Sequence, residues 1–263
     1  MAQDKIRLGG MALANGVLVH GPRSWACSVR LPGGEIKTAS AVKRFRAAQV
    51  ERPFLRGPAR LAEALWLLPQ VRRSLPEARL PFERPAVAGA MAASVAAMQL
   101  VRGSRLAPVA QELMSGLISL TPAALALRGT TTAGYHGAEH ISIGSYEHGE
   151  RRDKEHERCG SHLVGPLLAT SAFGNALASR APVTLRGPAR VTASLGALAA
   201  STEIFGWMTR HPEHRLSKAL ARPGYELQHN LATTEPTPEQ LEVAEAALAA
   251  CLRLEEDGAP DRN

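Results

Sequence analysis

Four stretches of this chain carry no charged residue, and they constrain its fold more than any other feature. They are Ala86–Val101, Leu113–Leu127, Leu163–Ser179 and Val191–Thr202, of 16, 15, 17 and 12 residues, and all are rich in alanine. Alanine is the strongest helix former, and uninterrupted apolar runs of this length must be covered along most of their surface. A helix crossing a hydrocarbon core of about 30 Å needs roughly 20 apolar residues, with a lower limit near 17. Only the third run reaches that limit, and it contains Pro166, Gly174 and Asn175. Two environments therefore fit the runs, the core of an α domain in water and the interior of a membrane.

The flanking segments carry different signals. Trp25, Cys27 and Val29 alternate with Ala26, Ser28 and Arg30 at the period of a half-buried strand. Leu31-Pro32-Gly33-Gly34 is turn chemistry, and Glu35–Thr38 can return as the second strand of a hairpin. From Arg56 to Leu75 the apolar residues Leu61, Leu65 and Leu68 fall three and four apart, predicting a helix that Pro69 should kink or divide. Near the C-terminus Thr237 is a good N-cap, Pro238 suits the first helical position and Gln240 completes a capping box. The expectation is a mainly α protein with a small N-terminal β-hairpin region and a helical bundle that a membrane could embed. In residue numbers that is a β region over 1–50, a helical domain over 51–254 and a tail over 255–263.

Composition narrows the functional classes. A chain of 263 residues with 45% hydrophobic and 21% charged residues is long enough, and apolar enough, to bury a core. Its formal charge is +7, and because residues 235–263 are acidic the remainder carries +13. Such a body suits anionic lipid, nucleic acid or an acidic partner. Aromatic residues are only 4%, and no zinc-finger or Gly-rich RNA signature is present, so nucleic acid is not the expected partner. The cysteines Cys27, Cys159 and Cys251 lie far apart, which excludes a disulfide-framework domain. The first twenty residues lack the pattern of a signal peptide.

Nine histidines remain to be explained, and two of them sit in Tyr135-His136-Gly137-Ala138-Glu139-His140. On a helix His136 and His140 are one turn apart on one face, so both imidazoles can reach a single divalent ion, with zinc the best match. Glu139 beside them suits a general base, the arrangement of inverted zinc-peptidase motifs. Gly137 and Gly144 weaken the helix. Two imidazoles make an incomplete shell, and three further ligands are candidates. Glu147 falls on the same helix face at 100° per residue. Cys159 lies in a second cluster with His156. Glu203 interrupts an apolar run, where a lone carboxylate must be paired, protonated or metal-bound if buried. The alternative is a non-catalytic membrane or scaffold protein in which the cluster is a structural metal site or a polar packing network, with a hydrogen-bonded histidine pair and a structural cysteine.

Several blocks together make a resemblance. Gly9-Gly10-Met11-Ala12, Arg52-Pro53-Phe54-Leu55-Arg56-Gly57, the YHGAEH of 135–140, Tyr146-Glu147, Arg158-Cys159-Gly160, Glu203, Leu227-Gln228 and Thr233-Thr234-Glu235-Pro236 occur in that order. With them the chain resembles the YqhQ-like family, a bacterial group of unknown function. The resemblance implies a metal-dependent enzyme, a multi-pass membrane protein with apolar helices around the HGAEH segment, and a cytoplasmic N-terminal β part. It implies a bacterial cell membrane as the location, with the cytoplasm as the alternative, and it identifies no substrate.

Overall fold

The computed structural model describes residues 5–257. The protein is mainly helical, with a small N-terminal antiparallel sheet. Strands β1 (Gly9–Ala12), β2 (Gly16–His20), β3 (Ser24–Arg30) and β4 (Ile36–Val42) form a meander in sequence order. The hairpin expected around Leu31–Gly34 is β3–β4, with Arg30 opposite Ile36. The apolar segment before it adds β1 and β2. Helix α1 spans Arg56–Ser74, α2 Pro85–Gly103, α3 Pro108–Leu127, α4 Thr131–His148, α5 Val164–Ala178, α6 Arg186–Arg210, α7 Arg215–Leu227 and α8 Pro238–Asp257. A π-helical turn, Gln228–Ala232, follows α7 directly.

The sheet is covered on both faces, so β2 and β3 are buried almost throughout rather than half-buried. Leu18, Trp25, Cys27 and Val29 meet Leu67, Leu68 and Val71 of α1 and Leu75 just beyond its end. Val17, Val19 and Ala26, pointing the other way, meet Tyr135, Ala138 and Ile143 of α4 and Val243, Ala244 and Ala247 of α8. The alternation of a strand thus serves two cores at once, and the N-terminal sheet shares one of them with the C-terminal helices. α1 stays a single helix through Pro69, which lies on its exposed side. The expected tail begins too early: α8 continues to Asp257, and Glu255 is almost wholly buried. Its carboxylate accepts hydrogen bonds from the backbone N–H of Arg23 (2.9 Å) and from the N–H and hydroxyl of Ser24 (both 2.7 Å). Residues 258–263 lie outside the described residues.

The four uncharged runs all become helices. α2 packs on α3, α5 on α6, and α3 on α5. The spanning lengths differ from the sequence expectation. The third run yields a helix of only 15 residues, because Leu163 belongs to a preceding 3-10 turn and the helix stops at Ala178. The segments Pro85–Gly103 and Val109–Leu127, each of 19 residues with mean hydropathy 1.3 and 1.2, are instead long and apolar enough to cross a membrane. Only 11% and 22% of them is buried, so Met91, Val95, Leu100, Leu113 and Leu117 face outward.

Candidate metal centre

α4 carries the site because its surroundings come unusually close. The helix begins after Thr130 and ends at Gly149, whose positive φ of 79° closes it in the left-handed region. It runs unbroken through Gly137 and Gly144. Packing outweighs their low propensity: a Cβ at Gly137 would stand 2.2 Å from the carbonyl oxygen of Thr234, so only glycine lets segment 232–234 lie against the helix. Gly10 of β1 plays the same part opposite. A Cβ there would meet the Glu139 carboxyl at 2.4–2.6 Å, so the strand leaves room for that side chain and nothing larger.

His136 and His140 project from one side of α4 with ring centroids 4.3 Å apart. The Nδ1 of His136 donates to the carbonyl of Ala232 (2.9 Å), and the Nδ1 of His140 donates to that of Lys154 (2.6 Å). These bonds place a proton on Nδ1 of both rings, so in the neutral form the Nε2 lone pair is the one each ring offers to a metal. The charged segment 150–158 folds back over the helix and brings Cys159 to the pair, with Sγ 3.7 Å from His136 Nε2. One ligand atom from each of His136, His140 and Cys159 lies within 4.8 Å of the others. That set of two nitrogens and one sulfur suits a tetrahedral divalent ion with one position left over.

Burial sets the protonation states. It pushes the His140 pKa down to about 2, with neighbouring His136 adding to the effect, so this ring is neutral throughout the physiological range. It pushes Glu139 up to about 7; His136 opposes the shift and Cys159 reinforces it. A carboxyl so poised exchanges a proton near neutrality. Glu139 Oε2 is 3.9 Å from His136 Nε2. Burial also raises the Cys159 thiol, against hydrogen bonds from Ser161 and Gly160, so a thiolate there needs a cation beside it.

Two candidate ligands lie elsewhere. Glu147 is on the expected face of α4, but its carboxylate meets His156 Nε2 (3.4 Å), the Arg158 guanidinium and the N–H of Leu8 (3.4 Å). The angular argument neglected the helical rise: eleven residues separate it from His136, about 16 Å along the axis. Glu203 is paired with Arg56 through both carboxylate oxygens and also accepts the Phe54 N–H (3.0 Å). The carboxylate that seemed to need a metal has an arginine from α1 instead, which holds its pKa low. Sequence reasoning missed Gly10 and the carbonyls of Ala232 and Lys154. The first stood in the sequence as a double glycine, which opens β1, whereas backbone oxygens leave no trace in side-chain identity.

Residues 130–254 match the model of a family described as "Protein of unknown function (DUF1385)". Over 129 residues the chain is 33% identical to the uncharacterized protein YqhQ of Bacillus subtilis (strain 168). That alignment covers 46% of this chain and 40% of the relative, so the similarity spans less than half of either protein. His136, Glu139, His140 and Cys159 all fall inside the family match, and the sheet falls outside it. No solved structure matches the chain.

Proposed function

We propose that this chain, similar over residues 130–254 to a family of unknown function, is a metal-dependent, membrane-associated hydrolase. His136, His140 and Cys159 hold a divalent ion, best matched by zinc. The observation carrying this reading is the convergence of their three ligand atoms within 4.8 Å, with both Nδ1 atoms already given to backbone carbonyls. When bound, the ion supplies Lewis acidity and makes water nucleophilic at neutral pH. Glu139, with a pKa of about 7, takes a proton from the attacking water at its carboxylate and returns it to the leaving group. Gly10 and β1 wall that carboxyl on one side and keep it from solvent.

The membrane part rests on α2 and α3, which expose apolar surface along their length. An anionic leaflet is the matching lipid for a body of charge +13.

The test is elemental analysis of purified protein together with His136→Ala and His140→Ala. The reading predicts close to one equivalent of zinc in the wild type and a loss of most of it in each variant. Protein without metal that also fails to take up added zinc would reduce the cluster to a packing network. Four protein ligands with no open position would make the site structural rather than catalytic.

A further inference from the structure

The π-helical turn Gln228–Ala232 meets the candidate centre through the Ala232 carbonyl on His136, and meets the loop that carries Cys159 through the side chain of Gln228. Gln228 is wholly buried. Its Oε1 accepts the backbone N–H of His156 (2.8 Å). Its Nε2 donates to Ser161 Oγ (2.8 Å) and His162 Nε2 (3.0 Å), with the His156 carbonyl further off at 3.3 Å. His162 Nδ1 is given to the carbonyl of Ala221 (3.0 Å), which leaves Nε2 free to accept. A single amide therefore grips both ends of a short loop, His156 on one side and Ser161-His162 on the other. Cys159 lies between them. The loop adds its own hydrogen bonds, Cys159 N–H to the His156 carbonyl and His162 N–H to the Cys159 carbonyl, both 3.1 Å.

The other end of the same turn presents the Ala232 carbonyl to His136 Nδ1. The Gln228 carbonyl is itself capped by the N–H (3.1 Å) and hydroxyl (2.9 Å) of Thr233. One irregular turn thus aims an imidazole and holds the loop that carries the thiol. An amide is well suited to this clamp, since it both donates and accepts and carries no charge into a buried position. π-turns persist where such geometry is needed despite their weaker packing.

We propose that Gln228 is the positioning residue of the centre, holding loop 156–162 so that Cys159 reaches the two histidines. Without it the site reduces to an imidazole pair. The inference rests on the metal reading for its chemistry, but the clamp itself concerns only where the thiol sits.

The experiment has two arms, each comparing wild type with Gln228→Met, which keeps the volume and loses every hydrogen bond, and with Ser161→Ala, which removes one Gln228 partner together with that hydroxyl's own hydrogen bond to Cys159. In the first, full-length protein is titrated with Co²⁺ and the thiolate-to-cobalt absorption is read, with Cys159→Ser marking its complete loss. Gln228→Met is expected to lose that band and to bind cobalt about tenfold or more weakly, the usual effect of removing a group that orients a ligand. Ser161→Ala should fall between the two. In the second, metal-free protein is alkylated with iodoacetamide and the cysteines are followed separately, the buried Cys27 and Cys251 serving as references. Cys159 should react about tenfold faster in Gln228→Met while the references stay slow.

Faster reaction at all three cysteines would mean global loosening, and Ser161→Ala would then decide. An unchanged cobalt band, affinity and Cys159 alkylation rate in folded Gln228→Met overturns the proposal, as does an unchanged Ser161→Ala where Gln228→Met does not fold. Wild type that takes up no cobalt defeats the metal reading, and the alkylation arm still decides the clamp.

Discussion

At the scale of single residues, the centre depends on where protons sit. Glu139 in the metal-free protein keeps its proton up to about pH 7, against an ordinary value of 4.5. Its folded-state pKa is raised, so the stability it contributes is complete below pH 4.5 and is lost as pH rises through 7. Denaturant titrations of metal-free Glu139→Gln should therefore show a flatter dependence of stability on pH across that window. The variant should be more stable above pH 7 by at most about 3 kcal/mol. Equal slopes for the two proteins would mean that Glu139 is better solvated than its burial implies. Glu203 gives the opposite prediction. It belongs to Arg56 and not to the centre, so Glu203→Ala should keep its full metal content while weakening the link between α1 and α6; metal analysis alongside a thermal melt checks both.

The residue-scale pattern also shows what the sequence could reveal. His136, Glu139 and His140 were legible because a helix repeats every 3.6 residues and places i and i+4 together. Glu147 satisfied the same angular rule and lies elsewhere, since angle carries no information about distance along the axis. Cys159 could be proposed only as an approach from another segment. The Arg56–Glu203 pair spans 147 positions of chain, and nothing local to either residue announces the other.

At the scale of elements, α4 is defined by what presses on it. Gly137 looked like a weakness and turns out to be where the backbone of Thr234 comes close, while Gly144 lies against the side chains of Arg152 and His156, a distinction that propensity cannot draw. Gly137→Ala should force segment 232–234 away from the helix and with it the carbonyl that orients His136. Overpacking of this kind costs about 1–3 kcal/mol, to be read by urea unfolding, and metal affinity should fall with it. A variant with unchanged stability and affinity would show that the segment can shift freely. The C-terminal helix was legible from its capping box, in which the Thr237 N–H donates to Gln240 Oε1 (3.0 Å). Its end was not, because Glu255 reads as the start of an acidic tail until Arg23 and Ser24 are brought to it by the fold. Removing that buried carboxylate with Glu255→Ala takes away the acceptor of the Ser24 N–H and hydroxyl and of the Arg23 N–H and should cost about 2–4 kcal/mol.

At the scale of the whole molecule, two structures are joined. One is a sheet between α1 and the α4–α8 pair, with Lys43 and Glu63 paired beneath α1 (3.1 Å). The other is an apolar bundle whose outer surface is left uncovered. The uncharged runs correctly signalled the bundle, but run length was a poor guide to spanning length, since helices extend into charged flanks at one end and stop short at another. Leu117 lies mid-helix in α3 and is 68% exposed. If that face meets lipid, Leu117→Arg places a charge near the bilayer centre at a cost of about 3 kcal/mol. Flotation with anionic vesicles should then carry the wild type up and recover less of the variant, whose metal content should not change. Equal flotation would remove α3 from the membrane account.

The central claim is that two imidazoles and one thiolate share an ion. X-ray absorption at the zinc edge of the zinc-loaded protein tests it most directly. The account predicts a first shell with two nitrogen scatterers at about 2.0–2.1 Å and one sulfur at about 2.3 Å, with the sulfur absent in Cys159→Ser. A shell of oxygen and nitrogen alone in the wild type would contradict it.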